Sequence, residues 1–285
     1  MKGFDYVKAT TLEGACDFLV KNPATKLMVG GTDLLLRLKE KRIDPSFLLD
    51  LKGVPELKEI SYDPRIGLSI GGAASLVDVI HHPLVKMHYS LLAEACHTVG
   101  SVQIRNRASV AGNICNASPL ADSAPALLVY GAKIEIASAQ GGRSVQIDKF
   151  FVGPGMTVLA FGEIVKKIIL PPVPRKSFGV YLKHARRKAV DLSSVGVAVF
   201  GWQQDDKTFF RIALGAVAPT PIRALEAEKV LFDAVNFAEA VPLAAKAARE
   251  EARPIGDLRS SKEYRQEIVE VYVRRALDQV LEALS

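Results

Sequence analysis

The sequence predicts an α+β fold laid out in two parts, residues 1–175 and 176–285. Three observations carry that expectation. Strand-like and helix-like periodicities alternate as far as Leu170. The cluster Pro171-Pro172-Val173-Pro174 then interrupts every pattern and marks a domain boundary. Beyond it, residues 179–184, 195–202 and 208–217 read as three antiparallel strands. Helices follow from Ala224, over 238–251 and over 261–284, so the C-terminal part is a small sheet backed by helices.

Composition bounds the function classes. At 285 residues, with 49% hydrophobic and 24% charged residues, the chain can bury a substantial core. The net charge of +6, from 37 basic and 31 acidic residues, is scattered. The densest groups are residues 39–42 and 184–188, with none of the aromatic-interleaved basic stripe of a nucleic-acid binder. Cys16, Cys96 and Cys115 are too few and too dispersed for a disulfide framework or a cysteine-rich metal site, and they fit a reduced compartment. No apolar run approaches the roughly 18 residues of a membrane span. The N-terminal residues carry acidic groups and no signal-peptide core. The expectation is a soluble cytoplasmic protein.

Thr11 caps a first helix that puts Leu12, Ala15, Cys16 and Leu19 on one face. Residues 26–29 form a strand that breaks at Gly30-Gly31-Thr32-Asp33 and restarts as a helix through Leu34, Leu35 and Leu38. A turn of this kind leaves backbone N–H groups unpaired and exposes a positive dipole end, which suits an anion. It matches neither the Gly-x-Gly-x-x-Gly nor the Walker pattern, so the residues alone fit a phosphate site or a plain chain reversal. Asp33 would repel a phosphate and fits a helix cap or a ribose hydroxyl partner. Strands are predicted over 47–50, 57–61 and 66–71. Ser75 caps a helix running to His81, and another covers 89–97. His81, His82 and His88 lack partners at metal-ligand spacing and read as surface residues.

The stretch 99–126 stands apart. Residues 109–113, Ser-Val-Ala-Gly-Asn, read as a short apolar strand ending in a small-residue turn where the backbone can approach something bulky. Asn113, Asn116, Ser118 and Asp122 then supply donors and acceptors, fitting either a ligand wall or an irregular loop. A helix over 124–129 follows. Residues 133–137 and 143–147 form a hairpin across 139–142, and a strand covers 163–170.

Taken together, residues 26–34 (Lys-Leu-Met-Val-Gly-Gly-Thr-Asp-Leu), 99–107 (Val-Gly-Ser-Val-Gln-Ile-Arg-Asn-Arg) and 109–122 resemble the FAD-binding subunit of the molybdenum hydroxylases. These are the xanthine dehydrogenase, carbon monoxide dehydrogenase and 4-hydroxybenzoyl-CoA reductase relatives. Tyr181-Leu182-Lys183, continuing through Arg186 and from Asp191 to Val195, is similar to the opening of that subunit's C-terminal domain. The motifs occur in the family's order along essentially the whole chain.

The resemblance implies a flavin fold of the vanillyl-alcohol-oxidase type (PCMH-type) in residues 1–175, two α+β subdomains with non-covalent FAD between them. An α+β C-terminal domain with a three-stranded antiparallel sheet would follow. By the same resemblance, Leu27, Met28, Val29, Gly30, Gly31, Thr32, Asp33 and Leu34 take the FAD pyrophosphate on their amides. Ser109, Val110, Ala111, Gly112 and Asn113, with Asn116 and Asp122, form the second wall. Val99, Val165 and Lys183 match further flavin-contacting positions. Val99 stands where xanthine dehydrogenases carry an aromatic, and Asn116 where they carry a threonine.

No constellation for acid–base or nucleophilic catalysis stands out; in this family the flavin carries the chemistry. Molybdopterin and two-iron two-sulfur clusters would lie on a large subunit and an iron–sulfur small subunit, in a dimer of heterotrimers. Electrons would pass from the iron–sulfur subunit through FAD to a nicotinamide, a quinone, a ferredoxin or oxygen. Three ungrouped cysteines leave no room for the four-cysteine cluster insertion of the 4-hydroxybenzoyl-CoA reductase flavoprotein. Arg105 and Arg107 fit either the flavin's electron-rich edge or surface charge pairing. The run Arg186-Arg187-Lys188 fits a solvated face or a docking edge. The alternatives are a free-standing flavin reductase or oxidase of the same fold, similar to the enolpyruvyl-glucosamine reductases, and a flavin-free scaffold.

Overall fold

The computed structural model describes residues 3–187, 189–205 and 207–285. A first lobe contains β1 (Asp5–Lys8), α1 (Leu12–Lys21), β2 (Thr25–Met28), α2 (Leu34–Lys39) and β3 (Phe47–Asp50), its strands ordered β1-β3-β2 and parallel. Thr11 starts α1 by accepting the Gly14 amide at 3.1 Å on Oγ1, and Ala15, Cys16 and Leu19 bury its inner face.

The second lobe runs through β4 (Ile60–Asp63), β5 (Gly67–Gly71), α3 (Leu76–His81), α4 (Pro83–His88), α5 (Ser90–His97), α6 (Val102–Arg105), α7 (Val110–Cys115) and α8 (Ser123–Tyr130). It continues with β6 (Lys133–Ser138), β7 (Gly141–Gln146), β8 (Phe151–Gly153), β9 (Met156–Thr157) and β10 (Ile164–Leu170). Its main sheet is antiparallel, ordered β4-β5-β10-β6-β7. Ser75 and Asp78 close a reciprocal capping box at the start of α3.

Two expectations in these lobes fail. Residues 109–113 are not a strand. Ser109 is extended and accepts the Gly112 amide at 2.9 Å, so it caps a helix whose Val110, Ala111 and Ile114 point into the core. Three apolar residues in a row, Val110, Ala111 and Gly112, are too few for periodicity to outweigh a cap. Residues 57–61 are not one strand either. Pro55 opens a 3-10 turn that holds Leu57, and pairing starts at Ile60.

The C-terminal part contains β11 (Ser177–His184), β12 (Val195–Gln204), β13 (Lys207–Gly215), β14 (Ile222–Arg223), α9 (Leu225–Phe232), α10 (Phe237–Glu251) and α11 (Lys262–Leu284). Its antiparallel sheet has four strands, not three, because β14 pairs Ile222 and Arg223 with Leu214 and Ala213 after the Pro219–Pro221 bend. This sheet is buried on both faces. Tyr181, Ala198, Phe200 and Ala213 join the second lobe's core, while Val180, Val197, Val199, Ile212 and Leu214 pack on α9 to α11. Period-two alternation sends neighbours to opposite cores, so the strands read as continuous apolar runs. Each buried valine, leucine, isoleucine or phenylalanine among them contributes about 1.5–3 kcal/mol.

A buried polar knot fastens the sheet to the second lobe. Asp122, at the start of α8, accepts Tyr181 Oη at 2.8 Å, Ser193 Oγ at 2.5 Å and Lys183 Nζ at 2.9 Å. Lys183 also donates to the Thr98 carbonyl at 3.0 Å. A smaller knot sits in the first lobe. Buried Asp50 accepts the Lys52 amide at 2.9 Å, Lys52 Nζ at 2.7 Å and the Tyr6 hydroxyl. Burial alone would raise the Asp50 pKa, but the hydrogen bonds from Lys52 and Tyr6 and the Lys52 charge outweigh it and hold the carboxyl below the usual range.

Asp122→Ala should destabilise the chain by about 3 kcal/mol, because it strands the largely buried Lys183 ammonium. Asp122→Leu combined with Lys183→Met should cost less than the sum of the single changes in a double-mutant cycle of urea unfolding. Additive losses would mean that the groups do not act as a unit. Because the folded-state pKa of Asp50 is lowered, its contribution is complete above the unfolded value of about 3.9 and is lost as pH falls through the folded value. Asp50→Asn should therefore lower stability by about 2 kcal/mol at neutral pH and flatten the acid limb of the stability profile. Parallel acid limbs for the two proteins would contradict this.

Candidate functional site

The two lobes of the N-terminal part enclose a cleft of about 290 Å³. One wall comes from the end of β2 and the turn into α2: Leu27, Met28, Val29, Gly30, Gly31, Thr32, Asp33 and Leu34. The facing wall carries Val99, Ser109, Ala111, Gly112, Asn113 and Asn116 from the α6–α7 region, and Val165 from β10. The sequence-derived candidates Val110, Asp122 and Lys183 turn elsewhere. Val110 is in the core of the second lobe, and the other two meet in the interdomain knot. Arg37, Gly72, Ile104, Ala108, Cys115, Leu159, Glu163 and Ile164 also line the cleft and were not singled out from sequence.

The turn at 30–33 is shaped by a close approach. A β-carbon on Gly30 would lie 2.2 Å from the Arg107 carbonyl oxygen, so the lobes touch there backbone to backbone. Gly31 follows with φ +72°, a conformation that glycine adopts without strain. Lys52 Nζ takes the Val29 carbonyl at 2.9 Å, which anchors the strand just before the turn. The amides of Gly30, Gly31, Thr32 and Asp33 donate to no group among the described residues. Asp33 does not cap α2. Its backbone is already helical (φ −96°, ψ −41°), whereas a capping side chain needs an extended residue. The result is a row of unspent donors next to glycine, open to a ligand rich in anionic oxygens.

The opposite wall is also built around a helix start. Ser109 caps α7, and Asn113 accepts Ser123 Oγ at 2.6 Å, which fixes the orientation of its amide. Ala108, Ala111 and Gly112 keep this wall low, and Val29, Leu159, Ile164 and Val165 supply apolar surface. Glu163 is held on the far side by Arg143, with contacts of 2.5 Å and 2.8 Å, and by the Ala160 amide at 2.7 Å. The Arg143 bonds hold its carboxyl below the usual range despite partial burial. The Cys115 thiol is pushed up to about 12 by burial and stays protonated at neutral pH.

Arg105 braces its own segment. Its Nη1 clamps its own loop by donating to the Val99 and Gly100 carbonyls at 3.0 and 3.1 Å. Arg107 contributes its carbonyl to the Gly30 contact. Lys183, Arg105, His184, Arg186 and Arg187 line a second cavity of about 550 Å³, which shares the 97–105 loop with the cleft. Arg187 pairs with Asp191 at 3.7 Å, and Lys188 lies outside the described residues. His81 is exposed, and His88 stacks on Tyr62 at 5.0 Å. Among the described residues no helix is long and apolar enough to cross a membrane.

Comparison with known proteins gives these features a family. Residues 2–173 match the FAD binding domain in molybdopterin dehydrogenase, and residues 180–280 match the CO dehydrogenase flavoprotein C-terminal domain. The xanthine dehydrogenase FAD-binding subunit of Escherichia coli O157:H7 is 33% identical over 98% of this chain and 96% of its own length. The carbon monoxide dehydrogenase medium chain of Hydrogenophaga pseudoflava is 32% identical over 89% of this chain and 88% of its own. A solved carbon monoxide dehydrogenase chain from Hydrogenophaga pseudoflava superposes with a TM-score of 0.95 at 30% identity, covering 100% of this chain and 99% of that one. Quinoline 2-oxidoreductase from Pseudomonas putida 86 superposes with a TM-score of 0.92 at 29% identity, each chain covered completely. The chain therefore belongs to the family of FAD-binding subunits of the molybdopterin-dependent dehydrogenases.

Proposed function

We propose that this chain holds FAD in the cleft between its two N-terminal lobes and works as the electron-transfer subunit of a heteromeric molybdenum hydroxylase. It takes electrons from an iron–sulfur small subunit that is fed by a molybdopterin large subunit, and passes them to an external acceptor. The single observation that carries the reading is the row of unspent amides at 30–33, facing a low wall of small residues across the cleft. Glycine at 30 and 31 lets an anionic oxygen come within reach of these amides, which carry the positive end of the helix that follows. Relatives named for xanthine, carbon monoxide and quinoline share this architecture, which fits a chain that serves different substrate subunits.

Bound there, FAD supplies the electron-carrying chemistry. The chain's own residues bind and orient. The amides of Gly30, Gly31, Thr32 and Asp33 would take the diphosphate oxygens, and exposed Asp33 a ribose hydroxyl. Asn113, fixed by Ser123, and Asn116 would contact the polar middle of the cofactor, and the Val29–Val165 surface its apolar ring system. Val110, Asp122 and Lys183 act one layer back by fixing α7 and the 97–105 loop. We place the complex in the cytoplasm as a dimer of heterotrimers. The three free thiols, with Cys16 and Cys96 buried, support a reducing compartment.

Gly30→Ala should raise the FAD dissociation constant more than about tenfold while far-ultraviolet circular dichroism stays unchanged, since a β-carbon there must push the turn off Arg107. Fluorescence titration of the stripped full chain reads this. Unaltered affinity would show that the turn is not the cofactor cradle. Purified with its partners, the complex should release FAD on acid treatment in a one-to-one ratio with this chain.

A further inference from the structure

We infer that Arg37 and Asn116 form a clasp across the cleft, and that Arg37 is the counter-cation of the cofactor's diphosphate. The inference rests on the FAD reading above and deepens it. Arg37 is on α2, directly after the amide turn, and Asn116 ends α7 on the opposite wall. Its Nη2 donates to Asn116 Oδ1 over a separation of 79 positions. Besides their shared apolar core, the two lobes meet at two polar or backbone contacts beside the cleft. One contact is the backbone approach of Gly30 to Arg107, which cannot open without moving whole segments. The other joins two side chains at the surface, and one rotamer change opens it.

Charge separates the clasp from an ordinary surface contact. The charged residues lining the cleft are Asp33, Arg37 and Glu163. Arg143 already neutralises Glu163. Arg37 is the remaining cation of that lining, and among the described residues its partner is the neutral amide of Asn116, with no carboxylate paired to it. A guanidinium offers five N–H donors in a planar fork, and Asn116 takes one, leaving donors for phosphate oxygens. A diphosphate carries two negative charges, and four amides answer them with partial charges only. Arg37 completes the compensation while Asn116 keeps the fork over the cleft. A lysine would restore the charge without the fork.

The test follows FAD and riboflavin binding to the stripped full chain by stopped-flow flavin fluorescence, at several sodium chloride concentrations. Arg37→Ala should speed FAD release by about ten- to thirtyfold and leave riboflavin, which has no phosphate, within about twofold of the unsubstituted chain. It should also flatten the salt dependence of FAD affinity. Arg37→Lys should keep that salt dependence but release FAD faster than the unsubstituted chain. Asn116→Ala should speed release severalfold without changing the salt slope. Unchanged FAD release in Arg37→Ala would overturn the inference. So would equal weakening of FAD and riboflavin, which would make Arg37 a tie between lobes and nothing more. An unsubstituted chain that takes up no FAD would instead overturn the reading on which the inference rests, and the inference with it.

Discussion

The contact between Gly30 and the Arg107 carbonyl is the constraint on which the cleft depends. At 2.2 Å for an added β-carbon, no other residue fits without displacing backbone. That approach seats the turn against the second lobe, beside the apolar cluster in which Leu49 and Leu51 join Ala73 and Ile164, and leaves residues 30–33 lining the gap. The Lys52 anchor on Val29, itself held by buried Asp50, fixes where β2 stops and the turn begins.

The second layer of the design is the attachment of the C-terminal sheet. One carboxylate, Asp122, takes hydrogen bonds from Tyr181 and Lys183 of β11 and from Ser193 in the connection to β12. Because Lys183 reaches on to the Thr98 carbonyl, the same knot steadies the loop that carries Val99 and Ile104 to the cleft. A change in the sheet's seating would therefore be felt at the cleft wall without any direct contact.

How much of this was legible in the sequence varies with the range of the interaction. Caps at Thr11 and Ser75 depend on residues three positions apart, and they were readable. So were the glycine turn and the β6–β7 hairpin, where the signal is local backbone chemistry. Ser109 was misread because its cap competed with an apolar run of only three residues. Strand β14 was missed since two residues between bends have no periodicity of their own, and only β13 makes them a strand. The Asp122–Lys183 pair spans 61 positions and the Arg37–Asn116 contact 79, so neither has any signature in spacing. The family resemblance placed residues around a cofactor but said nothing of Arg37, whose role comes only from the meeting of two walls.

The most direct measurement of the central claim is a crystal structure of the full chain grown with FAD. Diphosphate density should lie against the amides of residues 30–33, with the remainder of the cofactor running between that turn and α7. Flavin density elsewhere on the surface, or a cleft that stays empty at saturating FAD while the lobes keep their spacing, would contradict it.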